Sequence, residues 1–295
     1  MKRSILGLMY IIQGMRHTGI DVDARLAEIG IQANALDTGS IIYPELEQDI
    51  LNAIAKGVDA ETGLLIGQHY ALAGYGPLLM LLVTCEHIQQ ALESGIRFQG
   101  LTHLSGRLGL VQQDQHVVLS YQPLDLETQI GLLRAQCEVA GTYKFIVDIY
   151  KMMGLSAPDI QVYLPFKPPE NIDILQQYRL YYGEDLHFDA AQAMFALDRQ
   201  VLDLAIPSAD PLTCRVYESK CLAELARLEE EKQQPNRLIQ RVYDYLELQQ
   251  GIIPSMKDTA HALNMPERTL RYQLQQQGTN YKQIREQIIK HKALK

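Results

Sequence analysis

The sequence predicts an α+β amino-terminal domain, with a helical front half and a small mixed sheet beside a long helix, followed by an all-α helix-turn-helix unit. Three observations predict it. Apolar residues recur at helical spacing through residues 4–57 and again from Glu86 to Phe98. After Ser105 the pattern changes to strand-like alternation, with a long helical run between strands. Near the end, residues 254–274 read as two short helices with a sharp turn between them.

In the front half, Ile5, Leu8, Met9, Ile12 and Met15 share one face of a first helix that ends near Gly19. The opening Met1-Lys2-Arg3 and the apolar run behind it have the outline of a secretory leader. The run is short, however, Gln13 and Arg16 interrupt its continuation, and no Ala-x-Ala site appears. A short helix covers Asp23 to Ile29 and stops at Gly30. Pro44 suits the first turn of another, which continues through Leu46, Ile50, Leu51 and Ile54 to Gly57, a C-cap residue. Asp59 is expected to cap the next, through Leu64, Leu65 and His69. Gly74-Tyr75-Gly76-Pro77 reads as a turn, and the run Leu78 to Val83, apolar on all sides, should be buried.

The sheet is read from its alternation. Arg107 to Val111 and His116 to Tyr121 flank the polar turn Gln112-Gln113-Asp114-Gln115, which predicts a hairpin. Glu127 to Met153 is a long helix ended by Gly154. Ile160 to Leu164 alternates before the breaker Pro165-Phe166-Lys167-Pro168-Pro169. Ile174 to Tyr182 reads as a helix, and Asp185 to Phe188 and Ala193 to Leu197 as short strands.

Pro211 to Lys232 is helical. Gln233-Gln234-Pro235-Asn236 is the clearest break, and it sets the expected domains at 1–233 and 236–295. Leu238, Val242, Tyr245 and Leu246 form the packing face of the next helix. Ser255 is a good N-cap, with Asp258 at the acidic third position. Met256, Ala260 and Leu263 share a face. Asn264 tolerates the left-handed conformation of a helix stop, and Pro266 suits the first turn of a second helix, whose apolar stripe is Leu270 and Leu274.

That last helix carries Arg268, Thr269, Arg271, Tyr272 and Gln273 outside its apolar stripe. Arg and Gln pair bidentately with purine edges, and Thr or Tyr reaches phosphates or bases. Small Ala260 lets the two helices cross closely. Spacing alone leaves two readings open: a DNA-reading face, or an ordinary basic surface.

Charge is divided unevenly. The chain has 295 residues and a net charge of −8, yet from Asn236 onward it has 10 Lys+Arg against 5 Asp+Glu, and before it 17 against 30. A basic end on an acidic body suits a DNA reader attached to something that does not touch DNA. The four cysteines, Cys85, Cys137, Cys214 and Cys221, contain no CxxC pair and suit a reducing cytosol. Cys214 and Cys221, seven apart, are either a redox pair or small packed residues. No stretch approaches the apolar length of a membrane span, so a cytoplasmic location and no membrane partner are expected.

The segment Pro254-Ser255-Met256, Ala260, Leu263 and Met265-Pro266-Glu267-Arg268-Thr269-Leu270-Arg271, followed by Gly278-Thr279-Asn280-Tyr281 and a helix to Lys295, resembles the first helix-turn-helix of the AraC/XylS family of bacterial transcription regulators. The resemblance implies a linker helix and then a second helix-turn-helix. The sequence ends at Lys295, where that motif would begin, so a piece of a longer protein is expected. The amino-terminal part resembles the arabinose-binding-like sensor domain of one branch of that family. Its match rests on Gly76-Pro77-Leu78 before an apolar run, on Tyr178 to Phe188 with its Tyr182-Gly183-Glu184-Asp185-Leu186-His187-Phe188 core, and on Leu202, Leu204 and Pro207. This implies a domain that senses a small molecule or mediates dimerisation.

The expectation is therefore an effector-responsive, sequence-specific regulator acting as a homodimer on double-stranded DNA. Arg268, Arg271 and Gln273 would read bases, Thr269 and Tyr272 bases or phosphates, and Lys257 and Lys282 the DNA backbone. The alternative is a stand-alone ligand-binding or oligomerising protein whose terminal helices are an assembly module. Tyr75, His103, Tyr121, Arg134, Tyr163 and His187 are candidates to line an effector cavity, Arg134 as a grip for a carboxylate or as a structurally paired residue. Histidines are isolated, and no phosphate loop, His-Glu-x-x-His or Gly-x-Ser-x-Gly elbow occurs. No cofactor, metal or catalytic activity is expected.

Overall fold

The computed structural model describes residues 3–31, 36, 41–42, 44–233, 237–249, 253–263 and 265–293. In chain order its elements are β1 (Arg3–Ser4), α1 (Leu6–His17), α2 (Val22–Glu28), β2 (Ile41–Ile42), α3 (Pro44–Ile54), α4 (Thr62–Gly67), α5 (Pro77–Thr84) and α6 (Ile88–Arg97). Then come β3 (Arg107–Gln112), β4 (His116–Gln122), α7 (Gln129–Met152), β5 (Gln161–Tyr163), α8 (Ile172–Tyr182), β6 (Leu186–His187) and β7 (Ala193–Asp198). Five helices finish the chain: α9 (Pro211–Gln233), α10 (Arg237–Leu248), α11 (Met256–Ala262), α12 (Glu267–Gln276) and α13 (Tyr281–Ala293). The protein is α+β, with a helical carboxy-terminal region.

The chain forms two compact units. The larger gathers Tyr10–Ile20 and Gly57–Ala226; the other gathers Met1–Met9, Asp21–Lys56 and Arg227–Lys295. Part of the boundary expected at 233–236 lies outside the described residues.

The larger unit holds a mixed five-stranded sheet in the order β3-β4-β7-β5-β6. β3 and β4 form the expected hairpin, with Leu110 opposite Leu119. β4 continues antiparallel onto β7, with Leu119 opposite Phe195. β5 joins the other edge of β7 antiparallel, and β6 joins β5 in parallel, with Val162 opposite Leu186. One apolar core joins the sheet, through Leu119, Tyr121, Val162 and Phe195, to α5, α6, α7 and α8. The run Leu78 to Val83 is buried at all positions but Met80, as its composition predicts.

The structure departs from the sequence reading in small, explicable ways. Residues 3–4 and 41–42 pair as a two-residue antiparallel ladder, too short to show a period. α2 is capped by Asp21, whose carboxylate accepts from the Ala24 N–H at 3.0 Å, slightly before the expected start. Asp59 caps nothing: its backbone carbonyl accepts from the Thr62 N–H in a turn, and α4 begins at Thr62. Gly57 and Gly154 have positive φ and stop the chain segments before them, as expected, and Gly183, also at positive φ, does the same after α8.

α7 is the spine of the larger unit, and α4 lies with its backbone against it. A methyl group added at Gly63 would meet the Leu133 carbonyl oxygen at 2.5 Å, and one at Gly67 the Cys137 carbonyl oxygen at 2.4 Å. Backbone cannot step aside as a flexible side chain can. Replacing glycine by alanine within a helix normally stabilises it; here the sign should reverse. Gly67→Ala is expected to lower the free energy of unfolding in urea by about 1–3 kcal/mol. Gly95→Ala in α6, whose added methyl meets only the Leu82 Cδ2 at 3.9 Å, should raise it by about 0.5–1 kcal/mol.

Candidate functional site

The carboxy-terminal helices are built around α12. α11 opens with a capping box: the Asp258 N–H donates to the Ser255 hydroxyl at 3.2 Å, and the Ser255 N–H donates to the Asp258 carboxylate at 3.2 Å. The Ser255 hydroxyl, which donates to the Asp258 carboxylate at 2.6 Å, and the Ser255 N–H hold that carboxyl below its usual range. Ala260 and Leu263 are buried on the face that meets α12. The expected helix stop at Asn264 lies outside the described residues. Pro266 is the N-cap of α12 rather than its first helical residue, with ψ 139°. Its side chain makes no capping hydrogen bond, so the first N–H groups of α12 face solvent.

α12 ends in a Schellman motif. The Thr279 N–H donates to the Leu274 carbonyl and the Gly278 N–H to the Gln275 carbonyl, both at 3.0 Å, with Gly278 at φ 76°. This turns the chain into α13. Tyr281, at the start of α13, donates its hydroxyl to the Pro254 carbonyl at 2.7 Å and lies 2.8 Å from the buried Thr259 hydroxyl. The donor to Pro254 being fixed, Thr259 supplies the second proton. One phenol thus ties α13 to the residue just ahead of the α11 N-cap and to Thr259 within the helix.

Leu270 and Leu274 are fully buried, with Val242, Leu246, Ile284 and Ile288 in the same compact unit. At 100° per residue, Tyr272 points directly away from that stripe, with Arg268 and Arg271 on one side of it and Thr269 and Gln273 on the other. Arg268, Arg271, Tyr272 and Gln273 are exposed, Tyr272 at 61%, and Thr269 is half-buried. Arg271 donates to Glu267 at 2.7 Å, an exposed i,i+4 pair that gives way to a stronger acceptor at small cost. Lys257 and Lys282 are exposed on α11 and α13, Lys282 at 4.0 Å from Glu286. The structure therefore brings five of the seven residues onto one helix face and leaves the two lysines on flanking helices.

The six effector candidates do not converge. Glu138, at 1% exposure in the middle of α7, takes up two of them. It accepts from Arg134 Nε at 3.0 Å, from the Tyr121 hydroxyl, and from the Ser105 N–H and hydroxyl at 2.9 and 2.8 Å. Burial and this carboxylate push the Tyr121 phenol well up. Tyr163 and His187 stack at 4.6 Å on the adjacent strands β5 and β6, His187 also 2.8 Å from Asp185. His103 sits among the rings of Tyr10, Tyr70 and Tyr75.

Of the six, Tyr75 alone lines the cavity between α5, α6, α7 and the hairpin, which has a volume of about 90 Å³. Sequence reasoning missed the α6 and α7 residues that form its walls, because they read as ordinary core positions. Glu138 was missed too, although Arg134 and Thr142 at four-residue spacing on either side of it were a visible signal. The Cys214 and Cys221 side chains are buried in α9, and burial pushes the Cys221 thiol up to about 11 and the Cys85 thiol up to about 12. They pack as small apolar groups. Among the described residues, no three His, Cys, Asp or Glu side chains are grouped to hold a metal ion, and no helix is long and apolar enough to cross a membrane.

Burial pushes His103 down from the ordinary 6.5 to about 4, so it is neutral in the folded protein at pH 7. The unfolded chain binds this proton more tightly. Folding stability is therefore complete above pH 6.5 and lost as pH falls toward 4. His103→Phe should remove that dependence. Urea unfolding at about pH 7.5 and about pH 5 is expected to show the wild type losing roughly 2 kcal/mol more than the variant.

Residues 19–206 match the family model described as the arabinose-binding domain of AraC transcription regulator, N-terminal. The chain is 22% identical to the ornithine utilization regulator of Pseudomonas aeruginosa, over 94% of this chain and 79% of that one. It is 21% identical to the HTH-type transcriptional regulator VqsM of the same organism, over 82% of this chain and 73% of that one. The crystal structure of transcriptional regulator CdpR from Pseudomonas aeruginosa aligns over 92% of this chain and 82% of that one, with 19% identity and a TM-score of 0.49. On the family match, which spans well over half of its length, this chain belongs to the AraC family of helix-turn-helix transcription regulators with an arabinose-binding-type amino-terminal domain, and it is not an enzyme.

Proposed function

We propose that this protein is a cytoplasmic, sequence-specific DNA-binding regulator in which α11 and α12 form a helix-turn-helix and α12 enters the major groove. One observation carries the reading: α12 buries Leu270 and Leu274 and presents Arg268, Arg271, Tyr272 and Gln273 to solvent. Guanidinium and amide groups are the side chains that pair bidentately with guanine and adenine edges. In this reading Arg268, Arg271 and Gln273 read bases, Thr269 and Tyr272 contact bases or phosphates, and Lys257 and Lys282 hold the backbone. Residues 236–295 are the DNA-binding domain. Residues 1–233 bind a small-molecule effector and pair two subunits into a homodimer, which places two reading helices on one operator.

The charge division supports the same assignment. The basic residues after Asn236 attract phosphate, and the acidic remainder keeps the rest of the protein off the duplex. A single module buries a small interface, so binding depends strongly on counterion release.

The test is fluorescence anisotropy of a labelled duplex from the gene's own upstream region. Affinity is expected to fall steeply with added salt, whereas an apolar assembly surface would be indifferent to it. Arg271→Ala should cost about 1–3 kcal/mol, concentrated at one base position. Equal binding of every sequence by wild type and variant would remove Arg271 from the base-reading set.

A further inference from the structure

The cavity of the larger unit has a chemistry that narrows what can occupy it. Its walls are aliphatic and aromatic carbon from α5, α6, α7 and the hairpin, among them Leu82, Leu92, Phe145, Ile146 and Met153. Among the described residues, no Asp, Glu, Lys, Arg or His lines it. The Arg134 guanidinium, the natural grip for a carboxylate, is not among the lining residues and donates to Glu138. Four of its lining residues carry a hydroxyl. Thr102 and Thr142 donate theirs to the Gln99 and Glu138 carbonyls, both at 2.7 Å. The hydroxyls of Tyr75 and Tyr150 make no hydrogen bond to any described residue.

We infer that this cavity is the effector site and that it takes a small, uncharged, hydrocarbon-rich molecule with one hydroxyl or carbonyl group, which Tyr75 and Tyr150 hydrogen-bond. The inference rests on the reading of the amino-terminal domain as effector-binding, and it names the chemical class that reading leaves open. A charged or many-hydroxylated ligand such as an amino acid or a sugar would be stripped of water here with nothing to replace it. A hydrocarbon chain loses nothing polar and gains the walls. Burial pushes the Tyr150 phenol up to about 12 and raises the Tyr75 phenol further, so both keep the proton they would donate. Gly95 leaves the cavity open from the α6 side: a methyl built there meets only Leu82 Cδ2, at 3.9 Å. A larger side chain at this position projects into the empty space.

The full-length protein titrated calorimetrically with 1-octanol provides the test. Saturable binding at one site is expected, tighter than that of 1-hexanol by roughly tenfold, as two buried methylenes require. Octanoate and octylammonium, of the same length but charged, should bind at least roughly tenfold more weakly. Gly95→Leu should abolish binding while leaving thermal unfolding no lower than wild type, because α6 gains a better helix former. Tyr75→Phe should weaken 1-octanol by roughly fivefold. Failure of 1-octanol to saturate, equal binding by Gly95→Leu, or charged chains binding as tightly as the alcohol would each overturn the inference. The same preparation, tested on duplex DNA, separates the two readings. DNA binding without octanol binding defeats the cavity assignment alone, and octanol binding without DNA binding defeats the regulator reading alone.

Discussion

The larger unit is organised around a carboxylate buried in the middle of its longest helix. Glu138 is 1% exposed, and Arg134 one turn before it, the Tyr121 phenol of β4, and the backbone and hydroxyl of Ser105 all donate to it. A buried charge left without such donors would be strongly destabilising. The network therefore fixes where the hairpin sits on α7. The Gly106 N–H donates to the same tyrosine at 2.9 Å, so the first strand is registered by the same group. With α7 pinned on this side, its first half can take the close backbone approach of α4 at Gly63 and Gly67. Its second half, from Thr142 to Met153, is left to form a wall of the cavity.

The carboxy-terminal region solves a different problem. Short helices are marginal by themselves, because each exposes unpaired backbone groups at both ends. Here three local devices hold them: a capping box starts α11, a Schellman turn ends α12, and Tyr281 hydrogen-bonds back to Pro254, just ahead of α11. The result is a stiff support that lets five polar side chains stand on α12 with only Leu270 and Leu274 anchoring it. A helix held this way loses little freedom on meeting a ligand.

Much of this was legible in the sequence. Strand alternation at residues 107–121, the all-apolar run at 78–83, the Ser255/Asp258 cap and the Leu270/Leu274 stripe are local signals, and the structure places each where the pattern does. What the sequence hid was long-range. Arg134 and Tyr121 looked like groups that could meet a ligand, and only the fold shows that a carboxylate on α7 occupies both. Gly63 and Gly67 are spaced four apart, which is the signature of a close helix contact, yet nothing local names α7 as the partner. The two-residue ladder between β1 and β2 has no period to detect. The cavity is the extreme case: its lining residues are chemically indistinguishable from core, and a void between them is a property of packing alone.

The most direct measurement is selection of duplexes bound by the full-length protein from a randomised pool, repeated with Gln273→Ala. A polar α12 face that reads bases predicts an enriched motif for the wild type, and the variant's motif should keep its length while losing preference at one position. A wild type that enriches no motif, or a variant that enriches an identical one, would contradict the assignment of base reading to this helix.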